Sequence, residues 1–120
     1  MIYISNELFN KKLEKLEAVS GLIGSALINK NGLIMNSRLP RDFDERKFGA
    51  MVATLFGSME AASATINDKI LNITAEFEEY QLIIFTLNEE IILATLIEIN
   101  IDLGLVLIEI EEFIKNINST

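Results

Sequence analysis

Adjacent carboxylates are the groups in this 120-residue chain whose type and spacing come closest to catalysis. Three such pairs occur, namely Glu78-Glu79, Glu89-Glu90 and Glu111-Glu112. A general acid and a general base must converge on one substrate, whereas neighbouring residues of a strand or helix point apart. We therefore interpret the three pairs as solvated surface and predict no catalytic residues.

The residue types that are missing narrow the chemistry further. The chain has no cysteine and no histidine, which excludes a disulfide framework, a thiolate nucleophile, Ser-His catalysis and histidine ligation of a metal. The sequence also has no phosphate-binding glycine loop and no cluster with metal-ligand spacing. We predict that the chain binds no cofactor and no metal, and that it is not an enzyme.

A basic group precedes and begins the second predicted helix, and it consists of Arg38, Arg41, Arg46 and Lys47. Positive charge opposes the dipole of a helix near its start, although neighbouring acidic residues offset it here. One interpretation is the polar rim of a surface that binds a partner. The other is an arginine that reaches a nucleotide phosphate on a bound protein. We favour the rim.

The charge balance bears on possible partners. The chain carries 18 acidic and 10 basic residues, a formal net charge of −8, whereas nucleic-acid binders need a basic surface. We therefore expect no nucleic-acid partner. Residues 70–114 contain ten acids and no Lys or Arg, and nine of the ten bases lie between Lys11 and Lys69. This asymmetry fits either a solvated surface or a partner site of matched charge.

Length and hydropathy predict one domain over residues 1–120, because a chain in which 50% of the residues are apolar can bury a single core. The longest strongly apolar runs, Ile91–Ile97 and Leu103–Ile108, are too short to span a bilayer. Residues 1–7 lack the basic start and the apolar stretch of a signal peptide. We expect no membrane insertion and a cytoplasmic location.

The first part of the chain predicts a helix and then a β-hairpin. Ser5 or Asn6 can cap the helix, whose apolar residues recur at spacings of three and four. Strands are predicted at Leu22–Asn29 and Leu33–Ser37. The turn Lys30-Asn31-Gly32 joins them, because Asn-Gly tolerates the positive φ that a tight turn needs.

The remainder predicts a long helix, three strands and a last helix. The long helix runs from Asp42 or Asp44 to roughly residue 66. The three strands cover Lys69–Phe77, Tyr80–Leu87 and Ile91–Ile97. Asn100 or Asp102 starts the last helix.

These elements predict an α/β (α+β) fold in the order α-β-β-α-β-β-β-α. Hairpins pair consecutive strands, and if strand one joins strand five, the order of the five-stranded antiparallel sheet is 2-1-5-4-3. Strands four and five are apolar on both faces, which is typical of central strands. Two helices then cover one face of the sheet, and the one long helix covers the other. A single helix does not cover five strands, so we predict a partner.

The long helix carries two stripes of side chains. The apolar stripe, which we expect to face the sheet, consists of Phe48, Met51, Val52, Leu55, Met59, Ala62 and Ile66. The second stripe repeats a small residue at every fourth position, in Gly49, Ala53, Gly57 and Ala61. A glycine inside a helix costs about 1 kcal/mol relative to alanine, so we expect these residues to serve close helix–helix contact. The alternative is that they lie flat against the sheet.

Four segments of the chain resemble the roadblock family, which includes dynein light-chain-like and bacterial gliding-regulator domains. Residues 19–34 are similar to its first hairpin, "V-x-G-x-x-G-A-L-x-V-x-x-x-G-L-x-I". Gly49–Ala53 and Gly57–Ala62 are similar to its second helix, which is rich in small residues. Asn100–Val106 resembles its "N-x-x-L-G-L-V" entry into the last helix. The resemblance covers nearly the whole chain.

The resemblance implies a homodimer, or a heterodimer with a paralogous roadblock domain. Family members pack their second helices together and pair their third strands into one ten-stranded sheet. Together with the small-residue stripe, this gives the expected dimer interface, which consists of Gly49, Ala53, Gly57, Ala61, Ala64, Leu71, Asn72, Ile73 and Thr74.

The resemblance also implies a partner, because family members bind small Ras-like GTPases as scaffolds or activators and hydrolyse nothing themselves. We expect the outward side of the second helix to bind the GTPase, through Arg41, Arg46, Ala50, Thr54, Gly57, Glu60 and Ala61. Two alternatives stay open, a ligand-sensing domain and a structural subunit of a motor or trafficking complex.

Overall fold

The computed structural model describes residues 6–118, so Ser5, one of the two candidate caps of the first helix, lies outside the described residues. The elements are α1 (Asn6–Ser20), β1 (Leu22–Asn29), β2 (Ile34–Ser37), α2 (Glu45–Ser63), β3 (Asn72–Glu76), β4 (Tyr80–Thr86), β5 (Ile91–Glu98) and α3 (Leu103–Asn118). This confirms the predicted order of helices and strands. Asp44 is the residue that caps α2, because its side chain accepts a hydrogen bond from the backbone N–H of Lys47.

The five strands form one antiparallel sheet in the order β2-β1-β5-β4-β3, which confirms the predicted topology. All residues of β5 from Ile91 to Ile97 are buried, so it is the central strand. The strands β2 and β3 form the two edges, as the predicted strand order requires.

The sheet separates two hydrophobic layers. On one face, α1 and α3 pack over residues such as Ile83 and Leu93, and Phe9 of α1 contacts Phe113 of α3 with ring centroids 5.8 Å apart. On the other face, α2 packs alone over residues such as Ile84. This confirms that two helices cover one face and one helix covers the other.

The hairpin turn between β1 and β2 differs from the prediction in one detail. Gly32 has a φ of 95°, whereas Asn31 is not among the described residues with positive φ. The N–H of Gly32 donates to the carbonyl of Asn29, and the N–H of Asn29 donates to the carbonyl of Leu33. Only the last residue of this turn, Gly32, therefore has a backbone in the left-handed region. This is a common geometry for a hairpin loop slightly longer than two residues.

The α2–β3 connection, residues 64–71, is longer than predicted, because α2 ends at Ser63 and β3 begins only at Asn72. The hydroxyls of Ser63 and Thr65 donate to the carbonyls of Glu60 and Ala62, and such local bonds compete with continued helix. Asn67 then has a φ of 54°, which turns the chain away from the helix axis.

Candidate protein interface

The helix α2 rests on the sheet through Phe48, Val52 and Phe56, which are buried and four residues apart. The prediction of one continuous apolar stripe against the sheet is therefore wrong in part. Met51 and Met59 remain 43% and 44% exposed, while the buried Phe56 was not among the predicted positions. The bulky rings at 48 and 56 set which side of the helix faces the sheet, and this leaves Met51 at the border of the core. Met59 has a similar direction to Phe48, but it lies in the last part of α2, where no residue is buried.

The small-residue stripe does not form one surface. Gly49 is buried, and a Cβ atom there would lie 2.7 Å from the carbonyl oxygen of Gly32. Its small size therefore serves contact with the β1–β2 turn, which contradicts the prediction that Gly49 belongs to an exposed helix–helix surface. A step of four residues turns about 40° beyond a full helical turn, so the outward directions at Gly49 and Ala61 differ by about 120° around the helix axis. The remaining small residues consequently point elsewhere.

Gly57 is the small residue that the chain itself does not explain. It is exposed, and a Cβ atom built on it would meet no described atom within 4 Å. Ala61 and Ala64 are also exposed, and Ala53 is half-buried. Glycine inside a helix is unfavourable, and no contact within residues 6–118 requires a glycine at this position.

The candidate residues for partner binding lie on the outward side of α2. Arg46, Ala50, Thr54 and Ala61 are exposed along this side, together with Gly57. The structure therefore places these residues on one side of the helix. Arg41 is exposed in the turn before the helix, so it lies at the rim.

Glu60 is held at one border of this surface. Its carboxylate accepts a hydrogen bond of 2.9 Å from the ammonium group of Lys30. The same ammonium lies 5.2 Å from the centre of the Phe56 ring. Lys30 thereby fixes the end of α2 to the β1–β2 turn, a contact that the sequence analysis did not foresee.

Among the described residues, β3 is a sheet edge that pairs with β4 on one side only. It pairs with β4, with Ile73 opposite Ile84 and Thr74 opposite Ile83. Thr74 is exposed, Asn72 and Ile73 are half-buried, and Leu71 just before the strand is 78% exposed. Such an edge presents unpaired backbone groups to any strand that approaches it.

A cavity of about 490 Å³ opens between the start of α2 and the end of β3, and we call it the aromatic pocket. It is lined by Phe43, Asp44, Lys47, Phe48, Met51, Phe77, Tyr80, Leu82 and Leu96. The ring of Phe43 lies 5.9 Å from the rings of both Phe48 and Tyr80, so these side chains support one another. The sequence analysis missed this pocket. Phe43 lies at the start of the predicted long helix and Phe77 at the end of the predicted third strand. Two aromatic residues at the ends of neighbouring elements could have indicated an apolar cluster there.

A shallower cleft of about 370 Å³ lies between α1 and α3. Lys12 and Lys15 line it on one helix, and Glu109 and Glu112 line it on the other. Within residues 6–118, no group of three or more side chains has the composition and spacing to hold a metal ion. None of the helices described there has the length and apolar character needed to cross a membrane.

Both the sequence and the fold of this chain are similar to those of known proteins. The uncharacterized protein MJ1340 of Methanocaldococcus jannaschii is 29% identical over 112 residues, which cover 93% of this chain and 98% of the relative. The solved structure of Myxococcus xanthus MglB superposes with a TM-score of 0.84 at 18% identity, covering 90% of this chain and 89% of that chain. The Roadblock/LC7 domain from Streptomyces avermitilis gives a TM-score of 0.79 at 15% identity, covering 88% of this chain and 91% of that chain.

The two solved structures share the fold at low sequence identity. The family assignment rests on a direct match between the sequence and a family model, which extends over residues 8–97 and so includes α2, β3 and the aromatic pocket up to Leu96. The chain therefore belongs to the Roadblock/LC7 domain family.

Proposed function

We propose that the chain is a cytoplasmic, non-enzymatic regulator or scaffold that dimerises and binds a small Ras-like GTPase. The observation that carries the proposal is that the same domain has an uncrowded glycine on the outer side of α2, Gly57, and a sheet edge at β3. Both features lie in the segments through which family members pair. Membership of the Roadblock/LC7 domain family supports this class of function.

The dimer is expected to join two α2 helices and two β3 edges. The exposed side chains at the border of α2, Met51 and Met59, would then lose their contact with water. The partner is a second copy or a paralogous roadblock domain. A standard stable interface buries on the order of 800 Å² per chain, which a pair of helices and a pair of strands can provide.

Association is tested by adding bulk at Gly57. We expect Gly57→Leu to weaken the dimer, because the added side chain separates the two helices, whereas the monomer has open space there. Ala18→Leu adds similar bulk to an exposed position of α1 and serves as the matched control. Light scattering over a range of concentrations measures the mass. A wild type that stays monomeric at tens of micromolar would contradict the dimer.

GTPase binding is tested by titrating the wild-type chain with the Ras-like GTPases of its own genome, loaded with GDP or with a GTP analogue. We expect one nucleotide state to bind more tightly, because a regulator must distinguish the two states. The absence of binding to any of them would contradict the partner class and leave the dimer untouched. Thermal stabilisation by a small metabolite would instead support the ligand-sensing alternative.

A further inference from the structure

The aromatic pocket is open although its walls are apolar. Phe77 is 45% exposed and Met51 is 43% exposed, so both rims of the pocket present apolar surface to water. The polar lining residues, Asp44 and Lys47, are exposed at the start of α2. A cavity of about 490 Å³ with such walls suits aliphatic side chains of another chain segment.

The α2–β3 connection has the opposite property, because two of its large apolar side chains are exposed to water. Ile66 is 72% exposed and Leu71 is 78% exposed. The N–H groups of Thr65 and Ile66 donate to the carbonyls of Ala62 and Ser63, which holds this segment in a defined turn. The exposed Ile66 side chain thus extends from a hydrogen-bonded turn, and the exposed Leu71 side chain lies just before β3 begins at Asn72.

The course of the chain brings the two features together in a symmetric pair. The pocket lies where α2 starts and β3 has ended, and the connection lies where α2 ends and β3 starts. A two-fold axis that pairs α2 with α2 and β3 with β3 in antiparallel fashion places the end of each element against the start of its copy. The connection of one copy therefore falls beside the aromatic pocket of the other.

The register of β3 makes this placement more specific. Ile73 and Ala75 point to the α2 side of the sheet, and Phe77 on the same side lines the pocket. Directly opposed residues of an antiparallel pair share one face, so odd-numbered positions must oppose odd-numbered positions. The register that pairs all of β3 places Thr74 opposite its own copy and Leu71 opposite Phe77 of the copy.

We propose that the aromatic pocket of each chain receives the α2–β3 connection of a second copy, with Ile66 and Leu71 as the inserted side chains. The proposal rests on the dimer of the proposed function and adds to it a site that is incomplete without the partner. Two such insertions occur per dimer, one at each end of the paired strands. Each insertion covers a pocket that a single chain leaves open.

Crosslinking tests the placement, because the chain has no cysteine of its own. We expect a mixture of the Leu71→Cys and Phe77→Cys chains to form an intermolecular disulfide under mild oxidation, because opposed strand residues lie within disulfide range. Each variant alone is expected to remain uncrosslinked, since two copies of one position lie at opposite ends of the pair. A mixture of Leu33→Cys and Phe77→Cys is the control. Crosslinking no greater than in the control would overturn the placement.

Charge substitution tests the insertion itself. We expect Leu71→Asp and Ile66→Asp each to raise the dimer dissociation constant about tenfold or more, because a charged group would enter an apolar pocket. Leu33→Asp is the matched control, since Leu33 is 70% exposed on the far side of the sheet beside β2. Circular dichroism of dilute samples checks that all three variants fold.

The outcomes separate this inference from the proposed function. A wild-type dimer whose dissociation constant changes no more in Leu71→Asp and Ile66→Asp than in Leu33→Asp would overturn the insertion and leave the dimer standing. A monomeric wild type would contradict both. GTPase binding is measured independently, so its absence contradicts the proposed partner without bearing on the pocket.

Discussion

Gly49 and Gly32 meet backbone to backbone, with space at Gly49 so limited that a Cβ atom would lie 2.7 Å from the carbonyl oxygen of Gly32. The contact joins α2 to the β1–β2 turn, where Gly32 has a φ of 95°. The two glycines have different roles in this contact. Gly32 adopts the left-handed backbone that the turn needs, and Gly49 lacks the side chain that would collide with the turn.

Alanine at Gly49 is expected to lower the free energy of unfolding by about 1–3 kcal/mol, because the facing atom belongs to the backbone and cannot move aside cheaply. Gly57→Ala is the matched control in the same helix. It is expected to raise the free energy of unfolding by up to about 1 kcal/mol, because alanine favours helix and the space is open. Urea unfolding at concentrations below association measures both. Equal effects of the two substitutions would refute this assignment of roles.

The two sheet edges are expected to respond differently to association. If β3 pairs with its copy, amide exchange of Asn72–Glu76 slows as the protein concentration rises, because pairing protects their N–H groups. The other edge, Ile34–Ser37 in β2, is the internal control and is expected to exchange at a constant rate. Mass-spectrometric hydrogen exchange at several concentrations measures both segments. Protection that grows equally at both edges, or at neither, would rule out pairing through β3.

The ion pair between Arg38 and Glu17 is expected to stabilise the fold more than the pair between Lys30 and Glu60. Two nitrogens of Arg38 donate to the two carboxylate oxygens of Glu17, at 3.0 and 2.7 Å. The Glu17 side chain is 23% exposed, compared with 51% for Glu60. We expect Glu17→Gln to cost about 1 kcal/mol and Glu60→Gln less than about half as much. Thermal or urea unfolding checks the order of the two effects.

The same pair has a defined dependence on pH. The hydrogen bond to Glu17 raises the pKa of Arg38, and partial burial opposes the shift. A group with a raised pKa contributes stability that is lost only as the pH rises through that pKa. Arginine titrates far above neutrality, so the stability difference between the wild type and Arg38→Gln is expected to stay constant between roughly pH 7 and pH 10. A difference that shrinks in that range would contradict the prediction.

Charge reversal at Arg46 tests the binding surface for the GTPase. Arg46→Glu is expected to slow association several-fold and to change its salt dependence, with a smaller effect on dissociation, because an exposed rim charge acts mainly on the encounter. Lys15→Glu on α1 makes the same change of charge on the opposite layer and should leave both rates near those of the wild type. Stopped-flow or surface-based kinetics at two salt concentrations would show the difference.

The topology followed from the sequence because each strand carried its own burial pattern. The double-sided apolar character of β4 and β5 indicated central strands, and the pairing of consecutive strands in hairpins left β3 at an edge. Local periodicity was less reliable at the end of α2. Hydroxyl-to-carbonyl bonds of Ser63 and Thr65 contribute to that end, and these contacts leave no trace in a hydrophobic pattern.

The candidate site was predictable in outline but not in the roles of individual residues. A spacing of four residues cannot show how far a stripe rotates along a helix, so Gly49 and Gly57 looked equivalent while only Gly57 is exposed. The aromatic pocket depends on three-dimensional proximity between Phe43 and Tyr80, which are far apart in the sequence. Spacing and the family resemblance therefore pointed to α2 and β3 as the elements proposed to form the interface, and the tertiary structure was needed to distinguish the surroundings of their residues.

The buried contacts of α2 lie in its first three turns, which links the stability of the end of this helix to association. Its buried residues all precede Gly57, so the segment Gly57–Ser63 has no buried side chain to hold it on the sheet. A short helical segment without tertiary packing is only marginally stable in water. In the single chain this segment is already helical, and the ion pair between Lys30 and Glu60 holds it to the β1–β2 turn. We therefore expect it to be the least stable part of α2, and a partner that packs against the last two turns would supply the tertiary contacts that the single chain lacks there.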